Sequence, residues 1–463
     1  MREGLQKVVS FDETIVAIST PIGHSGIGVV RISGSRALDI ARKFLKGQAS
    51  NVELQHRIAV VGTWLDVAGE PLDQVVVTFF HAPHSYTGEN VVEINAHGNP
   101  FSLRRIVESA LDTGARLANA GEFTLRAVVH GKMDLIQAEA VREYIEAQTE
   151  QQSKTALRQI EGSTSKRLAP IKARLLDLIA YLEAGIDFAE DDIEVPSNDG
   201  IAEQIGLMHV ELDDFRRTFG YGKLLSKGLR IAIVGKPNVG KSSLFNRLVC
   251  SDRAIVTDIP GTTRDVVTEA VSLDGVPLCF ADTAGVRETT NVVETIGISR
   301  TLEELAESDF AIIVLDGSSD LDREDRTVLE KASSVPHLIV INKADLVQKI
   351  ETGVLDQGAQ QVSISARTGH GLDTLLDAVK RFLWTQRTDG ANDVVLTNAR
   401  QYETMTTAAD AMQRAMRAAS GGVPHEMVLL DLYEALTALG ELTGEVVTDD
   451  ILDRIFSTFC IGK

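Results

Sequence analysis

The chain has 463 residues, 44% hydrophobic and 24% charged, an ordinary soluble composition too long for one core, so about three domains are expected. Its net charge of −20, from 46 basic against 66 acidic residues, excludes a broad basic surface that grips nucleic acid by phosphate neutralisation. No apolar run reaches the roughly 20 residues of a membrane span. The N-terminus lacks a signal-type apolar core, and Cys250, Cys279 and Cys460 have neither disulfide nor zinc spacing, which predicts a reducing, cytoplasmic setting.

In chain order, 14–19, 28–33, 74–80 and 91–95 are rich in Val and Ile and bounded by Gly or Pro, and are expected as strands. Residues 35–45 and 101–113 carry helical apolar spacing, with Gly114 placed as a C-terminal cap. This is an α+β unit over 1–128, nearly neutral at 12 Lys and Arg against 13 Asp and Glu, so the acid excess lies downstream. The texture changes at Met133. Residues 133–159 contain no Gly or Pro, and Leu135, Ala138, Val141, Tyr144 and Ile145 recur at helical spacing. A second amphipathic stretch, 168–186, repeats the pattern with Leu175, Leu178, Ile179 and Leu182, then runs into an acidic patch at 187–194 that reads as a solvated helix end. A third helix is expected over 201–219.

Residues 229–388 alternate apolar strands and helices as a doubly wound α/β domain does, and helix resumes at 398–419, 426–442 and 448–459. The helices on both flanks each carry an apolar stripe that needs a mate, and each set is the simplest mate for the other. The expected fold is therefore multidomain: an α+β N-terminal domain (1–128), an all-α helical domain built from 129–226 and 389–463, and an inserted α/β P-loop GTPase (Ras-like) domain (227–388).

The inserted unit carries the chemistry. Gly235-Lys-Pro-Asn238-Val239-Gly240-Lys241-Ser242 follows a strand and precedes a helix that includes Ser243, so backbone N–H groups and the helix dipole face an anion. Lys241 reaches the β- and γ-phosphates and Ser242 ligates Mg²⁺. Asp282-Thr283-Ala284-Gly285 ends the next apolar strand, where the Asp supports the Mg²⁺ shell and the glycine amide senses the γ-phosphate. Between them lies a switch-like loop, Thr257-Asp258-Ile259-Pro260-Gly261-Thr262-Thr263, whose Thr263 completes Mg²⁺ coordination. Asn342-Lys343-Ala344-Asp345 ends another strand, and the Asp345 carboxylate can accept two hydrogen bonds from guanine that adenine cannot supply. Ser365-Ala366-Arg367 offers a backbone N–H to the guanine carbonyl. Four elements in order, each at a strand end, select guanine. Val286 stands where Ras-like GTPases place a water-orienting glutamine, which makes Glu294 the candidate for polarising water. The Asn238 side-chain oxygen can ligate a K⁺ beside the phosphates, where it would neutralise transition-state charge.

Outside these motifs, Gly28-Val-Val-Arg31-Ile-Ser-Gly34, Ser85-Tyr-Thr-Gly-Glu-Asn-Val-Val-Glu93, His97-Gly98, Gly121-Glu-Phe-Thr124, Lys132-Met-Asp-Leu-Ile-Gln-Ala-Glu-Ala140 and a closing Phe459-Cys460-Ile-Gly-Lys463 make the whole chain resemble the MnmE (TrmE) family of tRNA-modification GTPases. The resemblance implies an N-terminal folate-binding domain that forms a homodimer. It implies action with the FAD-dependent partner MnmG, in a heterotetramer or larger complex, on the wobble uridine of certain tRNAs. There an aminomethyl or carboxymethylaminomethyl group is installed at C5, with a tetrahydrofolate derivative (5-formyl- or methylene-) as the carrier. By matching motif, Arg31, Glu93, Lys132 and Lys463 line the folate site, Asn238, Thr257, Ile259 and Thr262 hold K⁺, and Ser242 and Thr263 hold Mg²⁺. Cys460 becomes a candidate reactive group near the one-carbon carrier. Two other readings share the nucleotide motifs: a ribosome-assembly GTPase of the Era or Der type, and a scaffold that uses nucleotide only as a dimerisation switch.

Overall fold

The computed structural model describes residues 12–47, 54–187, 197–249, 271–280, 305–350, 355, 359–387, 394–446 and 448–463. The chain divides into two compact units, one made of Met1–Arg142, Gln159–Met208 and Thr407–Lys463, the other of Glu143–Arg158 and His209–Thr406.

In the first unit the strands β1 (Ile15–Ile18), β2 (Ser25–Ser33), β3 (Leu45–Lys46), β4 (Ala59–Leu65), β5 (Pro71–Phe80), β6 (Val91–Gly98) and β7 (Arg116–Leu117) form one sheet in the order β3-β4-β5-β6-β2-β1-β7. The period of two along a strand decides what each face holds. Val30 and Ile32 of β2 and Val92 and Ile94 of β6 point into a core with Trp64 and Val77, under helices α1 (Ala37–Phe44) and α2 (Pro100–Leu111). Arg31 and Glu93, one residue out of phase, share the opposite face and stand directly across from each other. On that face Val61 and Val76 are 57% and 38% exposed, an apolar patch that no described residue covers. The expected strands and helices over 14–113 are present; β3 and β4 are additions, and the indole N–H of Trp64 on β4 donates to the Ser109 hydroxyl at 3.0 Å.

The unit continues with α3 (Glu122–Val129) and α4 (Leu135–Glu146), whose last residues pass into the second unit. Next come α5 (Glu150–Ile160), which lies mostly in the second unit, and the 25-residue α6 (Ser163–Asp187). Leu175, Leu178, Ile179 and Leu182 form the buried side of α6, as their spacing predicts. The single helix expected over 133–159 is two helices instead. Thr149 and Gln152 break it by making a capping box: the Gln152 N–H donates to the Thr149 hydroxyl at 3.1 Å, and the Gln152 side-chain carbonyl accepts from the Thr149 N–H at 3.0 Å. The acidic patch past Asp187 lies outside the described residues.

The second unit opens its main run with α7 (Asn198–Arg216), begun in the first unit, and α8 (Phe219–Lys227), a helix that lies beyond the one expected over 201–219. Strands β8 (Leu229–Val234), β9 (Val271–Leu273), β10 (Val276–Phe280), β11 (Phe310–Asp316), β12 (His337–Asn342) and β13 (Gln360–Ser363) form a sheet in the order β13-β12-β11-β8-β10-β9, parallel except for the β9–β10 hairpin. Near-continuous burial along β8, β11 and β12 follows from helices covering both faces, among them α9 (Lys241–Val249), α10 (Arg323–Ala332) and α11 (Leu372–Thr385). The strand order reverses beside β8, so a crevice opens at its carboxyl end, the place where such sheets bind ligands. The remaining helices are α12 (Ala399–Ser420), α13 (His425–Thr443), which packs on α6, and α14 (Asp449–Phe456). No helix among the described residues is long and apolar enough to cross a membrane.

Candidate functional site

The loop between β8 and α9 wraps a point at that crevice. Gly235 and Gly240 take φ of +153° and +102°, and Asn238 takes +66°, a left-handed value that Asn tolerates better than most residues. A Cβ on Gly240 would sit 2.2 Å from the Asn342 amide nitrogen, so only glycine lets the loop close against β12. Lys241, the first residue of α9, turns its ammonium back onto the carbonyls of Gly235 and Lys236 at 2.7 and 2.9 Å. Its charge is thereby held inside the loop whose amides and helix N-terminus attract an anion. Val239 is buried, and Ser242 and Ser243 follow on the first turn of the helix.

Asn342 joins this loop to those that begin at Lys343 and Ser365. Its side-chain amide donates to the Val239 carbonyl at 2.8 Å, and its side-chain oxygen accepts from the Ala366 N–H at 2.9 Å. Lys343 adopts φ +65° and sends its ammonium to Asp316 at the end of β11, 2.6 Å away. Ala344 is tied to the Ile364 carbonyl, and the Ser365 hydroxyl donates to Asp345 at 2.7 Å. That hydroxyl is the main reason the Asp345 carboxyl lies below its ordinary range, so it is an ionised acceptor at neutral pH. Arg247 of α9 braces the far side by donating to the carbonyls of Ala366 and Arg367.

Two supports were not legible as functional. Lys236, inside the β8–α9 loop, bridges Asp322 and Asp325 at 2.7 and 2.8 Å. Those carboxylates form the capping box of α10, and the Lys236 ammonium leads the causes that hold Asp322 down to about 2. Asp316 fixes Lys343 in the same way. The only hints were an Asp closing the strand before Gly317 and a D-x-x-D run. Thr257, Asp258, Ile259, Pro260, Gly261, Thr262, Thr263, Asp282, Thr283, Ala284, Gly285 and Glu294 lie outside the described residues, as does Cys250.

A second constellation occupies the open face of the first sheet. Arg31 donates through Nε and Nη2 to one oxygen of Glu93, at 3.0 and 2.8 Å, and its guanidinium lies over the rings of Tyr86 and Phe123 at 5.3 and 5.6 Å. Among the described residues none bonds the second oxygen of Glu93. The last residues of the chain come to the same place: the N–H groups of Gly121 and Phe123, at the start of α3, donate to the carbonyls of Cys460 and Lys463. Gly462 is pressed so close to the Ile18 carbonyl that a Cβ would sit 2.2 Å from it. Burial lowers the Lys463 ammonium, Arg31 adds to that, and Cys460 opposes it. Arg31, Glu93 and Lys463 are thus brought together, with Cys460 exposed beside them. Lys132 instead donates to the Pro83 carbonyl at 2.9 Å, on the loop that leads to Tyr86. Beneath this face a buried charge cluster escaped sequence reasoning. Arg126, fully buried, takes both oxygens of Glu89 at 3.0 Å and one oxygen of Glu122 at 2.8 and 3.2 Å, and Arg116 forks onto Glu122. Among the described residues no group of three His, Cys, Asp or Glu is placed to hold a metal by itself.

Comparison with known proteins gives two family matches, the GTP-binding protein TrmE N-terminus over 14–132 and the MnmE helical domain over 135–460. Relatives named tRNA modification GTPase MnmE are similar along nearly the whole chain. The one from Koribacter versatilis is 46% identical over 98% of this chain and 100% of its own. That from Aquifex aeolicus is 42% identical over 97% and 100%, and that from Alkaliphilus oremlandii 39% over 98% and 99%. Among solved structures, Era in complex with MgGDPNP and a 16S ribosomal RNA segment is 25% identical over 40% of this chain and 66% of that one, with a TM-score of 0.26. With both family domains present and identities of 39% to 46% along nearly the whole chain, the chain belongs to the MnmE (TrmE) family of tRNA modification GTPases.

Proposed function

We propose that the chain hydrolyses GTP and uses that cycle in modifying the wobble uridine of tRNA. The observation that carries the first half is Asn342, one side chain that joins the phosphate loop to the loop beside Asp345, so that phosphate and base recognition share one frame. Asp345 selects guanine, Lys241 meets the β- and γ-phosphates, and Ser242 with Thr263 would hold Mg²⁺, which supplies charge neutralisation for phosphoryl transfer. Asn238, held in a left-handed conformation at the loop apex, fits the role of K⁺ ligand together with Thr257, Ile259 and Thr262. Glu294 is the residue we assign to polarising water. Equal GTPase rates in K⁺ and Na⁺ buffers would remove the potassium assignment.

For the first unit we propose a tetrahydrofolate site. Glu93 is held by Arg31 through one oxygen, which leaves the other to accept an N–H donor of a pterin. Lys463 and Lys132 supply positive charge for the carboxylate tail, and the carrier contributes a one-carbon unit when bound. The exposed Cys460 lies beside these groups as a candidate nucleophile; Cys460→Ser with full tRNA modification in cells would exclude that role. The apolar patch of Val61 and Val76 on the same face favours a homodimer through this sheet. The domain limits we propose are 1–128, 129–226 with 389–463, and an inserted 227–388. The FAD-dependent MnmG is the proposed partner and the cytoplasm the proposed location. A charge of −20 is consistent with the partner supplying most of the basic tRNA surface. Nucleoside mass spectrometry of tRNA from a strain lacking this chain tests the whole reading: loss of the C5 modification at the wobble uridine supports it, and unchanged tRNA refutes it in favour of a ribosome-assembly or scaffold role.

A further inference from the structure

The capping box that splits the helix expected over 133–159 faces the nucleotide sheet. Thr149 is 6% exposed, and its hydroxyl does two things at once. It accepts from the Gln152 N–H, and it donates to the Gly275 carbonyl at 2.7 Å. Gln152 is equally committed: its carbonyl accepts from the N–H groups of Gln148 and Thr149, and its amide donates to the Ser226 carbonyl at 2.9 Å. Gly275 is the turn of the β9–β10 hairpin, and Ser226 is near the end of α8, three residues before β8. The approach is close. Gly275 takes φ +85°, and a Cβ there would meet Gln151 Cβ at 2.5 Å; a Cβ on Gly228 would meet Cys279 Sγ at 2.7 Å and the Pro277 carbonyl at 2.9 Å. Asp274 in the same turn is tied to Lys380 at 3.0 Å.

The place in the chain gives this contact its meaning. The hairpin is the link between the two candidate switch segments: β9 starts eight residues after Thr263, and β10 ends two residues before Asp282. The strand next to it, β8, feeds the phosphate loop. The hairpin turn and the end of α8, which leads into β8, are therefore both hydrogen-bonded by the N-terminus of a helix that is not part of the α/β fold. That helix, α5, continues from α4, a rod of about 18 Å at 1.5 Å per residue that begins three residues after Lys132.

We propose that Thr149 and Gln152 are positioning residues that couple the nucleotide state to α4 and α5. Displacement of the β9–β10 hairpin on exchange of GDP for GTP is the movement they carry. The hydrogen bond from Thr149 to the Gly275 carbonyl passes that movement to the helix pair rather than letting the turn slide. Coupling is reciprocal, so whatever restrains α4 and α5 also biases the nucleotide site. The inference rests on the guanine-nucleotide reading above and adds the route by which that site acts on the rest of the chain.

Three variants of the full-length chain separate the cap from the clamp. Thr149→Asp keeps an N-cap acceptor for the Gln152 N–H but cannot donate to a carbonyl. Thr149→Val loses both functions, and Thr149→Ser keeps both. Hydrogen exchange of the peptides over 143–158 is followed with GDP and with GDP plus aluminium fluoride, after calorimetry has established GDP affinity. We expect wild type and Thr149→Ser to show an exchange difference between the two states of about fivefold or more, Thr149→Asp and Thr149→Val to lose it, and GDP affinity to stay within about twofold throughout. A difference that survives in Thr149→Asp, or wild-type protein that binds both ligands with no difference, overturns the clamp. Wild-type protein that binds no guanine nucleotide sinks the underlying reading instead, a result calorimetry reports before any exchange is measured.

Discussion

Replacing Arg126 with Met removes the centre of the buried charge cluster, and the contacts on each side set the cost. Arg126 is fully buried and holds both oxygens of Glu89 and one of Glu122. After the change Glu122 keeps the Arg116 fork and the Asn119 N–H, so it stays paired. Among the described residues Glu89 keeps only the Ser33 hydroxyl, with its side chain 12% exposed. One carboxylate is therefore stranded, and breaking a buried pair from one side costs about 3–5 kcal/mol. The apolar Met stem offsets about 1 kcal/mol of that. The first unit should lose about 3 kcal/mol, and its melting temperature should fall by roughly 6–12 °C in differential scanning calorimetry. Arg126→Met combined with Glu89→Met removes the stranded charge and should recover at least half of the loss, because an apolar replacement of a whole buried ion pair is often neutral. A single variant within 1 kcal/mol of wild type, or a double variant worse than the single, would refute the reasoning. The cluster matters to the site because Glu89 closes the loop that sets Tyr86 against Arg31, while α3 receives the chain end.

Further predictions concern the same supports. Burial pushes the Glu122 carboxyl up, but Arg116, the Asn119 N–H and Arg126 together hold it below its ordinary value. Its contribution to stability is therefore complete above the ordinary glutamate value and is lost as pH falls through the depressed folded value, so Glu122→Gln should flatten the acid limb of stability measured by urea titration below about pH 4. Gly240→Ala drives a methyl group into the Asn342 amide and should weaken GDP by tenfold or more (about 1.4 kcal/mol) in calorimetry, with the melting temperature of the first unit unchanged. Asp345→Asn exchanges a double acceptor for a group that also donates; GTP affinity should fall about 100-fold, and xanthosine triphosphate, whose C2 oxygen accepts, should bind better than GTP.

The nucleotide half was legible because each motif sits where an apolar strand ends. The β8, β11 and β12 runs, buried on both faces, cannot be mistaken for amphipathic helix, and they place Gly235, Asp316 and Asn342 at one edge. What escaped was anything that depends on distant partners. Lys236 reads as a surface lysine until β11 and α10 bring Asp322 and Asp325 to it, and Arg126 reads as an exposed helix residue until Glu89 folds over it. The break in the helix expected over 133–159 is different, since Thr149-Glu-Gln-Gln152 is a capping-box sequence; the absence of Gly and Pro hid a boundary made by side-chain hydrogen bonds. The pairing of Arg31 with Glu93 needed the β2–β6 register, which composition does not specify.

The central claim is that the loop from Gly235 to Ser242 embraces a triphosphate while Asp345 selects its base. Isothermal calorimetry of the intact chain with Mg²⁺, titrated in turn with GDP, GTP and ATP, tests it most directly. Saturable binding of both guanine nucleotides, at least about 100-fold tighter than ATP, is the predicted result; equal affinity for ATP, or no binding of any of the three, would contradict it.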